Sequence, residues 1–339
     1  YGVGGIILDI VDSLLRERAL QVVLDGQSST LYNINARVPQ GSVFGPTLFL
    51  VFINDLPEGA LSKIGIYADD TTVYSSIGKS DVFEKVESAA ELQDDLRGIV
   101  EWGNRWRVTF NATKTKLLSF HRHRDPFLVP VEMNGVELPE KSSFRLLGLT
   151  FTPNMDWKHY IQNIAMASSR KVGSLYRSQR FLTPETILHL YKSTIRPCME
   201  YCSHLWAGAP KSQGLNLLDR VQKRIINLVG SELSADLQPL SHRRDVASLS
   251  LFYKYYHGNC SSELADLVPP KRVSVRTTRF SERLHPYSVN PPRCRRNFYK
   301  SSFFPRTADL WNSLAEECFP PEYDLTTFKA RVNQFLLRR

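Results

Sequence analysis

The segment that most constrains this chain is Lys63–Tyr74, whose sequence is KIGIYADDTTVY. Apolar residues alternate with small or polar ones on both sides of Ala68, a pattern that predicts a β-hairpin with two adjacent carboxylates at its turn. Most neighbouring aspartates are solvated loop residues, because like charges repel. A pair held between two strands can instead ligate a divalent cation, and Mg²⁺ prefers oxygen ligands. We therefore predict that Asp69 and Asp70 bind metal for phosphoryl transfer.

A second informative segment lies just upstream, between Val38 and Pro57. A Pro-Gln-Gly-Ser turn precedes a Gly-Pro step, and an apolar run follows that ends at an Ile-Asn-Asp-Leu-Pro sequence. The order and spacing of this segment and the Tyr-Ala-Asp-Asp turn resemble the reverse transcriptases of non-LTR retrotransposons, of the jockey and chicken-repeat kind. The resemblance runs from Tyr1 to about Gln334 and is most specific between Val38 and Phe151.

This resemblance implies an RNA-directed DNA polymerase that adds nucleotides to a primer 3′-hydroxyl by two-metal catalysis. Asp69 and Asp70 are then the catalytic residues, with Mg²⁺ as the cofactor and Mn²⁺ as an alternative ion. The implied partners are an RNA template, a DNA primer or target, and dNTPs. The chain has no run of about 18 apolar residues, so no transmembrane helix is indicated. No membrane partner is expected. A ribonucleoprotein of such an element is expected in the nucleus and cytoplasm.

Further site residues follow from the same resemblance. Gly41 lacks a Cβ, so its backbone can approach a ligand closely. Lys114 matches the lysine of the family's Asn-x-x-Lys-Thr motif, where it would offset triphosphate charge or donate a proton to pyrophosphate; a solvated surface lysine is the alternative. The expected nucleotide- and template-binding residues are Gln40, Gly41, Tyr67, Ala68 and Lys114, and the expected primer-grip residues are Leu147 and Gly148.

The predicted fold class is α+β. It comprises a right-hand polymerase palm with a catalytic β-hairpin, a helical thumb and a basic C-terminal region, at residues 1–151, 152–230 and 231–339. An amphipathic helix over residues 3–18 and a hairpin over residues 20–34 are expected first. The run Leu48–Ile53 is apolar on every side, which predicts a buried helix. Helical stripes begin at Trp157, after Thr183-Pro184 and at Leu215, and two further short helices are expected around Trp311 and around Phe328.

The net charge of +9 favours a polyanionic partner. Between Lys271 and Arg306 stand ten lysines or arginines, one acid and several aromatic residues. This composition suits single-stranded nucleic acid, through phosphate contacts and base stacking. An extended, proline-rich connector explains it equally well. Five scattered cysteines are typical of a reducing compartment rather than of a disulfide framework.

The family's first catalytic aspartate belongs to a strand expected ahead of the first helix. Asp9 and Asp12 lie on that predicted helix and do not match the motif. Because two-metal chemistry needs carboxylates from separate strands, we expect this chain to be a fragment that does not polymerise by itself. The alternative is a non-catalytic, nucleic-acid-binding remnant or a domesticated copy. A group II intron maturase is a more distant third interpretation.

Overall fold

The structure is a computed structural model that describes residues 4–34, 38–39, 41–76, 82–121, 130–272 and 285–338. The chain divides into two compact units. Unit 1 comprises residues 1–119 and 123–141, and unit 2 comprises residues 120–122 and 142–339. Secondary structure in the described residues is mixed helix and strand. None of the helices there is both long and apolar enough to cross a membrane.

In its described residues, unit 1 comprises three helices and a series of short antiparallel hairpins. The helices are α1 (Ile6–Leu15), α2 (Phe44–Ile53) and α3 (Val82–Trp106), and the strands are β1 (Arg18–Leu20), β2 (Val23–Leu24), β3 (Gln27–Ser28), β4 (Tyr32–Ile34), β5 (Lys63–Tyr67), β6 (Asp70–Tyr74), β7 (Glu132–Met133) and β8 (Val136–Glu137). Strand β1 pairs with β4 and β2 with β3, so the hairpin predicted over residues 20–34 is confirmed, with its turn at Asp25-Gly26.

Helix α3 is the centre of the unit 1 core. Its residues Leu96, Ile99 and Trp102 are buried against Ile53 of α2 and against the β7–β8 hairpin. An apolar stripe along one side of a long helix is the pattern that buries it against neighbours. From its sequence, this helix is expected to have its N-cap at Ser80 or Asp81, and both residues lie outside the described part of the chain.

The prediction that the run Leu48–Ile53 is buried on every side is wrong. Leu50 is 56% exposed and Val51 is 44% exposed, whereas Ile53 is only 7% exposed. Helix α3 covers one side of α2, where Phe52 packs edge-on against Trp102 at a ring-centroid distance of 5.4 Å. A run that is apolar all round has no periodicity, so it cannot indicate which side is covered.

Unit 2 begins with one hairpin and continues as helices. The helices predicted from Trp157, after Thr183-Pro184 and at Leu215 are all observed, and Thr183 Oγ1 accepts the N-cap hydrogen bond from the Thr186 amide at 3.3 Å. The strands are β9 (Phe144–Leu146) and β10 (Leu149–Phe151), and the helices are α4 (Lys158–Ser178), α5 (Pro184–Leu190), α6 (Arg196–Glu200), α7 (Ser203–Trp206), α8 (Leu215–Val229), α9 (Leu240–Tyr256), α10 (Ser262–Asp266), α11 (Asn297–Lys300), α12 (Phe303–Asn312) and α13 (Leu325–Arg338), with a π-helical turn, Tyr191–Ile195, between α5 and α6.

The described residues of unit 2 form two hydrophobic cores. The first lies between α4, α5 and α8 and contains the fully buried Trp206. The second lies between α9, α12 and α13, where Tyr253 stacks on Phe328 at a centroid distance of 4.1 Å and both pack near Trp311. The two late helices expected around Trp311 and Phe328 are therefore confirmed.

Candidate active site

The β5–β6 hairpin carries the Asp69-Asp70 pair. Its register pairs Tyr67 with Asp70, which leaves Ala68 and Asp69 as a two-residue turn. Ile64, Ile66 and Val73 pack against the unit 1 core, so alternation directs Tyr67 and Asp70 to the opposite, exposed face. The structure thus confirms the predicted hairpin and brings four of the predicted site residues together at one exposed turn.

The backbone at this turn is strained at Ala68, whose φ is +52°. Among the two turn residues only Ala68 has positive φ, a position where hairpin turns strongly favour glycine. A left-handed conformation costs a residue with a Cβ about 1–2 kcal/mol. Such strain concentrates at functional sites, where the surrounding structure maintains it. The strain at Ala68 therefore makes this turn a candidate for a functional position.

The two carboxylates fit a hard divalent cation. Asp69 and Asp70 are both exposed, and within the described residues no hydrogen bond or ion pair occupies their oxygens. Mg²⁺ is commonly bound by one or two carboxylates together with waters and substrate phosphates, which is the donor set that this turn offers. No cluster of three or more His, Cys, Asp or Glu side chains suited to a metal ion occurs in the described part of the chain.

Asp95 of α3, which the sequence pattern does not single out, fixes the start of the hairpin. Its carboxylate accepts hydrogen bonds from the backbone amides of Leu61 and Ser62, at 2.8 and 2.7 Å. Asp95 is only 7% exposed, and hydrogen bonds of this kind offset the cost of burying a charge. Asp95 directly precedes Leu96 on the apolar side of a long helix, and a charged residue at such a position indicates a buried hydrogen-bond partner.

The loop before α2 contains the second predicted group. Gln40 lies outside the described residues. Gly41 has φ of +80°, a backbone conformation that favours glycine. A Cβ built on Gly41 would have no atom within 4 Å, so the conformation and not close packing accounts for the glycine. Gly45 is the tightly packed glycine, because a Cβ there would come within 2.8 Å of the Pro39 carbonyl oxygen. Ser42 Oγ accepts a hydrogen bond from the Gly45 amide at 2.9 Å, which joins the loop to the first turn of α2.

Lys114 lies on a separate turn of unit 1. The Asn111 side chain holds this turn by accepting hydrogen bonds from the amides of Thr113 and Lys114, at 3.0 and 3.2 Å. The Lys114 side chain is exposed, and its ammonium has no ion pair within the described residues. The motif's asparagine thus shapes the loop and leaves the lysine available.

Leu147 and Gly148 form the two-residue turn between β9 and β10, in unit 2. Both have positive φ, +46° and +83°. This is the signature of a type I′ turn, which leucine rarely enters. Leu147 is 41% exposed, while the following Leu149 is buried in the first core of unit 2.

The five cysteines are free, in agreement with the expected absence of a disulfide framework. Burial raises the pKa of the Cys318 thiol, which is buried in the second core of unit 2. Cys198 is exposed and receives a hydrogen bond from the Lys171 ammonium at 3.3 Å.

Comparison with known proteins assigns the class of this domain. Residues 6–151 match the family of reverse transcriptases (RNA-dependent DNA polymerases), so this part of the chain is a reverse transcriptase domain with a polymerase palm-type fold. The match includes the Asp69-Asp70 turn, the Lys114 turn and the Leu147-Gly148 turn.

The particular relatives are polymerases of insect mobile elements. The chain is 31% identical over 233 residues to the RNA-directed DNA polymerase from mobile element jockey of Drosophila melanogaster. The aligned region covers 65% of this chain and 24% of that relative. It is 25% identical over 292 residues to a probable RNA-directed DNA polymerase from transposon X-element of the same species, covering 80% and 31%. The chain is therefore similar to jockey-type reverse transcriptases, and it spans about a quarter to a third of these relatives' length. No solved structure matches the chain significantly.

Proposed function

We propose that this chain is the polymerase part of an RNA-directed DNA polymerase from a non-LTR retrotransposable element. The observation that carries the proposal is the Asp69-Asp70 pair, held exposed on a strained turn within a reverse transcriptase domain. In the reaction, a primer 3′-hydroxyl attacks the α-phosphate of a dNTP and pyrophosphate leaves. Positioning of the two reactants supplies a large part of the rate enhancement in such a transfer.

Asp69 and Asp70 would hold Mg²⁺, or Mn²⁺ in its place, through their carboxylate oxygens. The bound ion supplies electrostatic stabilisation of the charge that develops on the phosphoryl oxygens. The backbone that carries the two carboxylates is held in place because β5 and β6 pair over five residues and their inner face is packed on the core. A fixed backbone reduces the reorganisation needed when substrate binds.

The remaining predicted site residues take supporting roles in this proposal. Tyr67, on the exposed face beside Asp70, and Gly41, in its open loop, contact the incoming nucleotide or the template. Gln40 and Ala68 belong to the same group. Lys114 offsets triphosphate charge or protonates the leaving pyrophosphate. The exposed Leu147-Gly148 turn supports the primer end.

Unit 2 supplies the nucleic-acid-binding surfaces in this proposal. Residues 152–230 act as the thumb and residues 231–339 as a basic C-terminal region. Arg293, Arg295, Arg296 and Lys300 are exposed beside the 49% exposed Tyr299, and no ion pair neutralises them within the described residues. Such a surface suits single-stranded RNA or DNA, through phosphate contacts and stacking. Its assembly with element RNA would occur in the cytoplasm and nucleus.

These exposed cations also favour a second candidate function, a non-catalytic nucleic-acid-binding protein derived from such an element. It would use the surface around Tyr299 without DNA synthesis. The two functions differ in whether they need the carboxylate turn, which comprises Ala68, Asp69 and Asp70. DNA synthesis requires it, whereas phosphate contacts do not need Asp69 or Asp70.

The test is primer extension on an RNA template with Mg²⁺. We would assay the 339-residue chain and, in parallel, the product of the whole open reading frame that contains it. We expect synthesis by the latter, and a loss of at least about 100-fold in Asp69→Asn and Asp70→Asn, because each removes a charged metal ligand. Asp94→Asn, which changes an exposed carboxylate of α3, is the matched control and should retain activity. Salt-sensitive RNA binding without synthesis by either protein would support the second function instead.

A further inference from the structure

Tyr201 contacts the Leu147-Gly148 turn from the helical part of unit 2. It lies between α6 and α7, and its hydroxyl donates a hydrogen bond to the Leu147 carbonyl oxygen at 2.9 Å. Its ring also lies beside Gly148, since a Cβ built on that glycine would be 3.5 Å from the tyrosine Cε1. One side chain therefore contacts both residues of the turn.

The backbone of Tyr201 is anchored to the first core of unit 2. The indole Nε1 of the fully buried Trp206 donates a hydrogen bond to the Tyr201 carbonyl oxygen at 3.1 Å. The next residue, Cys202, has φ of +48°, which reverses the chain between α6 and α7. The phenol is thus presented from a fixed backbone, and its position follows that of the helix core.

The turn needs such support because of its conformation. Leu147 has a Cβ and φ of +46°, which costs about 1–2 kcal/mol in the left-handed region. A hydrogen bond to its carbonyl oxygen restrains the peptide between Leu147 and Gly148, whose orientation defines the turn. Leu149, which follows the turn, is buried with Trp157 in the same core, so the turn is attached to the helices both through Tyr201 and through β10.

We propose that Tyr201 is a positioning residue for the primer 3′ end, acting through the Leu147-Gly148 turn. This inference rests on the proposed function, in which that turn supports the primer. Tyr201 fixes the position and orientation of the exposed Leu147-Gly148 turn relative to the first hydrophobic core of unit 2. A displacement of about 1 Å in a positioning group can reduce a reaction rate by about 100-fold, so even a modest loosening of the turn would be measurable.

The first experiment measures the contact itself, by amide hydrogen exchange in the 339-residue chain. In Tyr201→Phe the ring remains and only the hydroxyl is lost. We expect exchange of the Leu149 amide, which is paired with Leu146 across the hairpin, to become about 3- to 10-fold faster, which corresponds to the loss of one hydrogen bond. Tyr176→Phe is the matched control, because Tyr176 is exposed on α4 in the same unit and its hydroxyl makes no hydrogen bond within the described residues. Unchanged exchange in Tyr201→Phe would overturn the proposal.

The second experiment tests the role in synthesis, using the product of the whole open reading frame. We expect Tyr201→Phe to lower kcat for nucleotide addition by about 10-fold, with KM for dNTP and affinity for primer–template within about two-fold of the parent values. Tyr176→Phe should retain the parental kcat, and the unfolding temperatures of all three proteins should agree.

The two proposals fail in different ways. Parental kcat in Tyr201→Phe, in a protein whose synthesis depends on Asp69, would overturn the role of Tyr201 alone. Absence of any Asp69-dependent synthesis in the parent protein would overturn the proposed function, and the primer role of Tyr201 with it.

Discussion

The indole Nε1 of Trp102 donates a hydrogen bond to the Asp55 carboxylate, and the two atoms are 2.8 Å apart. Trp102 is a core residue of α3, while Asp55 follows α2 in the Ile-Asn-Asp-Leu-Pro sequence. The aspartate of that motif therefore has a structural role, because it joins the end of α2 to α3. Asp95 joins the same helix to the backbone that leads into β5.

Removing this contact should destabilise unit 1. Asp55→Ala leaves a largely buried indole N–H without its acceptor, which we expect to lower the free energy of unfolding by about 1–3 kcal/mol. Asp55→Asn retains an acceptor oxygen and should lose less. Urea unfolding followed by tryptophan fluorescence measures both. Asp94→Ala, at an exposed pair with Arg97, serves as the control and should stay within about 0.5 kcal/mol. An equal loss in Asp55→Ala and this control would contradict the assignment.

Strain at the carboxylate turn predicts that a substitution relieving it will raise the stability of the protein and lower its activity. Ala68→Gly should raise the free energy of unfolding by about 0.5–1 kcal/mol, because glycine adopts the observed φ without a Cβ clash. The same change should lower the rate of primer extension, since a more mobile turn holds Asp69 and Asp70 less firmly. Urea unfolding and single-nucleotide extension test the two halves. A destabilised Ala68→Gly protein would show that the turn stores no strain.

Close packing at Gly208 gives a prediction for unit 2. A Cβ there would lie 1.8 Å from the Ser301 carbonyl oxygen, so Gly208→Ala must move one backbone away from the other. We expect a loss of at least about 2 kcal/mol in the free energy of unfolding. Gly173→Ala is the matched control, because its Cβ would meet only the end of the Arg177 side chain at 3.7 Å, inside helix α4. That control should gain about 0.5–1 kcal/mol, since alanine is the better helix former. Circular dichroism during urea unfolding distinguishes the two signs.

Buried histidines predict acid sensitivity of unit 2. Burial lowers the pKa of His285, whose Nε2–H donates to the Trp311 carbonyl oxygen at 2.9 Å. Its Nδ1 is buried and has no hydrogen-bond partner among the described residues. Burial and the nearby Arg306 also lower the pKa of His204. Both groups bind protons more readily in the unfolded chain, whose histidine pKa is about 6.5. Stability is therefore fully present above pH about 6.5 and is lost as the pH falls below that value.

Unfolding temperatures at pH 7.5 and pH 5.5 test this expectation. His285→Asn should show a smaller difference between the two conditions than the parent protein. His189→Asn, at an exposed position on α5, should leave the difference unchanged. If the unfolding temperature of His285→Asn differed between the two pH values as much as that of the parent protein, His285 would be excluded as a cause of the acid sensitivity.

Motifs in the sequence predicted the candidate site where its residues are close along the chain. The alternation around Ala68 was sufficient for the hairpin, because strand periodicity and a two-residue turn are local properties. Thr183-Pro184 likewise predicted a helix start that the structure shows. The exposure of α2 was predicted wrongly, and Asp95 was missed, because both depend on what packs against them.

The sequence by itself determined the class of the domain, the carboxylate turn and most of the helices, since these arise from short-range patterns of side-chain type. Only the tertiary structure decided that Tyr201 contacts a turn 54 residues earlier and that Trp102 holds Asp55 across 47 residues. Such contacts depend on how distant elements come together in space, and no local pattern of polarity or propensity encodes that distance. For the same physical reason, the supports of the proposed active site became visible only once the chain was folded.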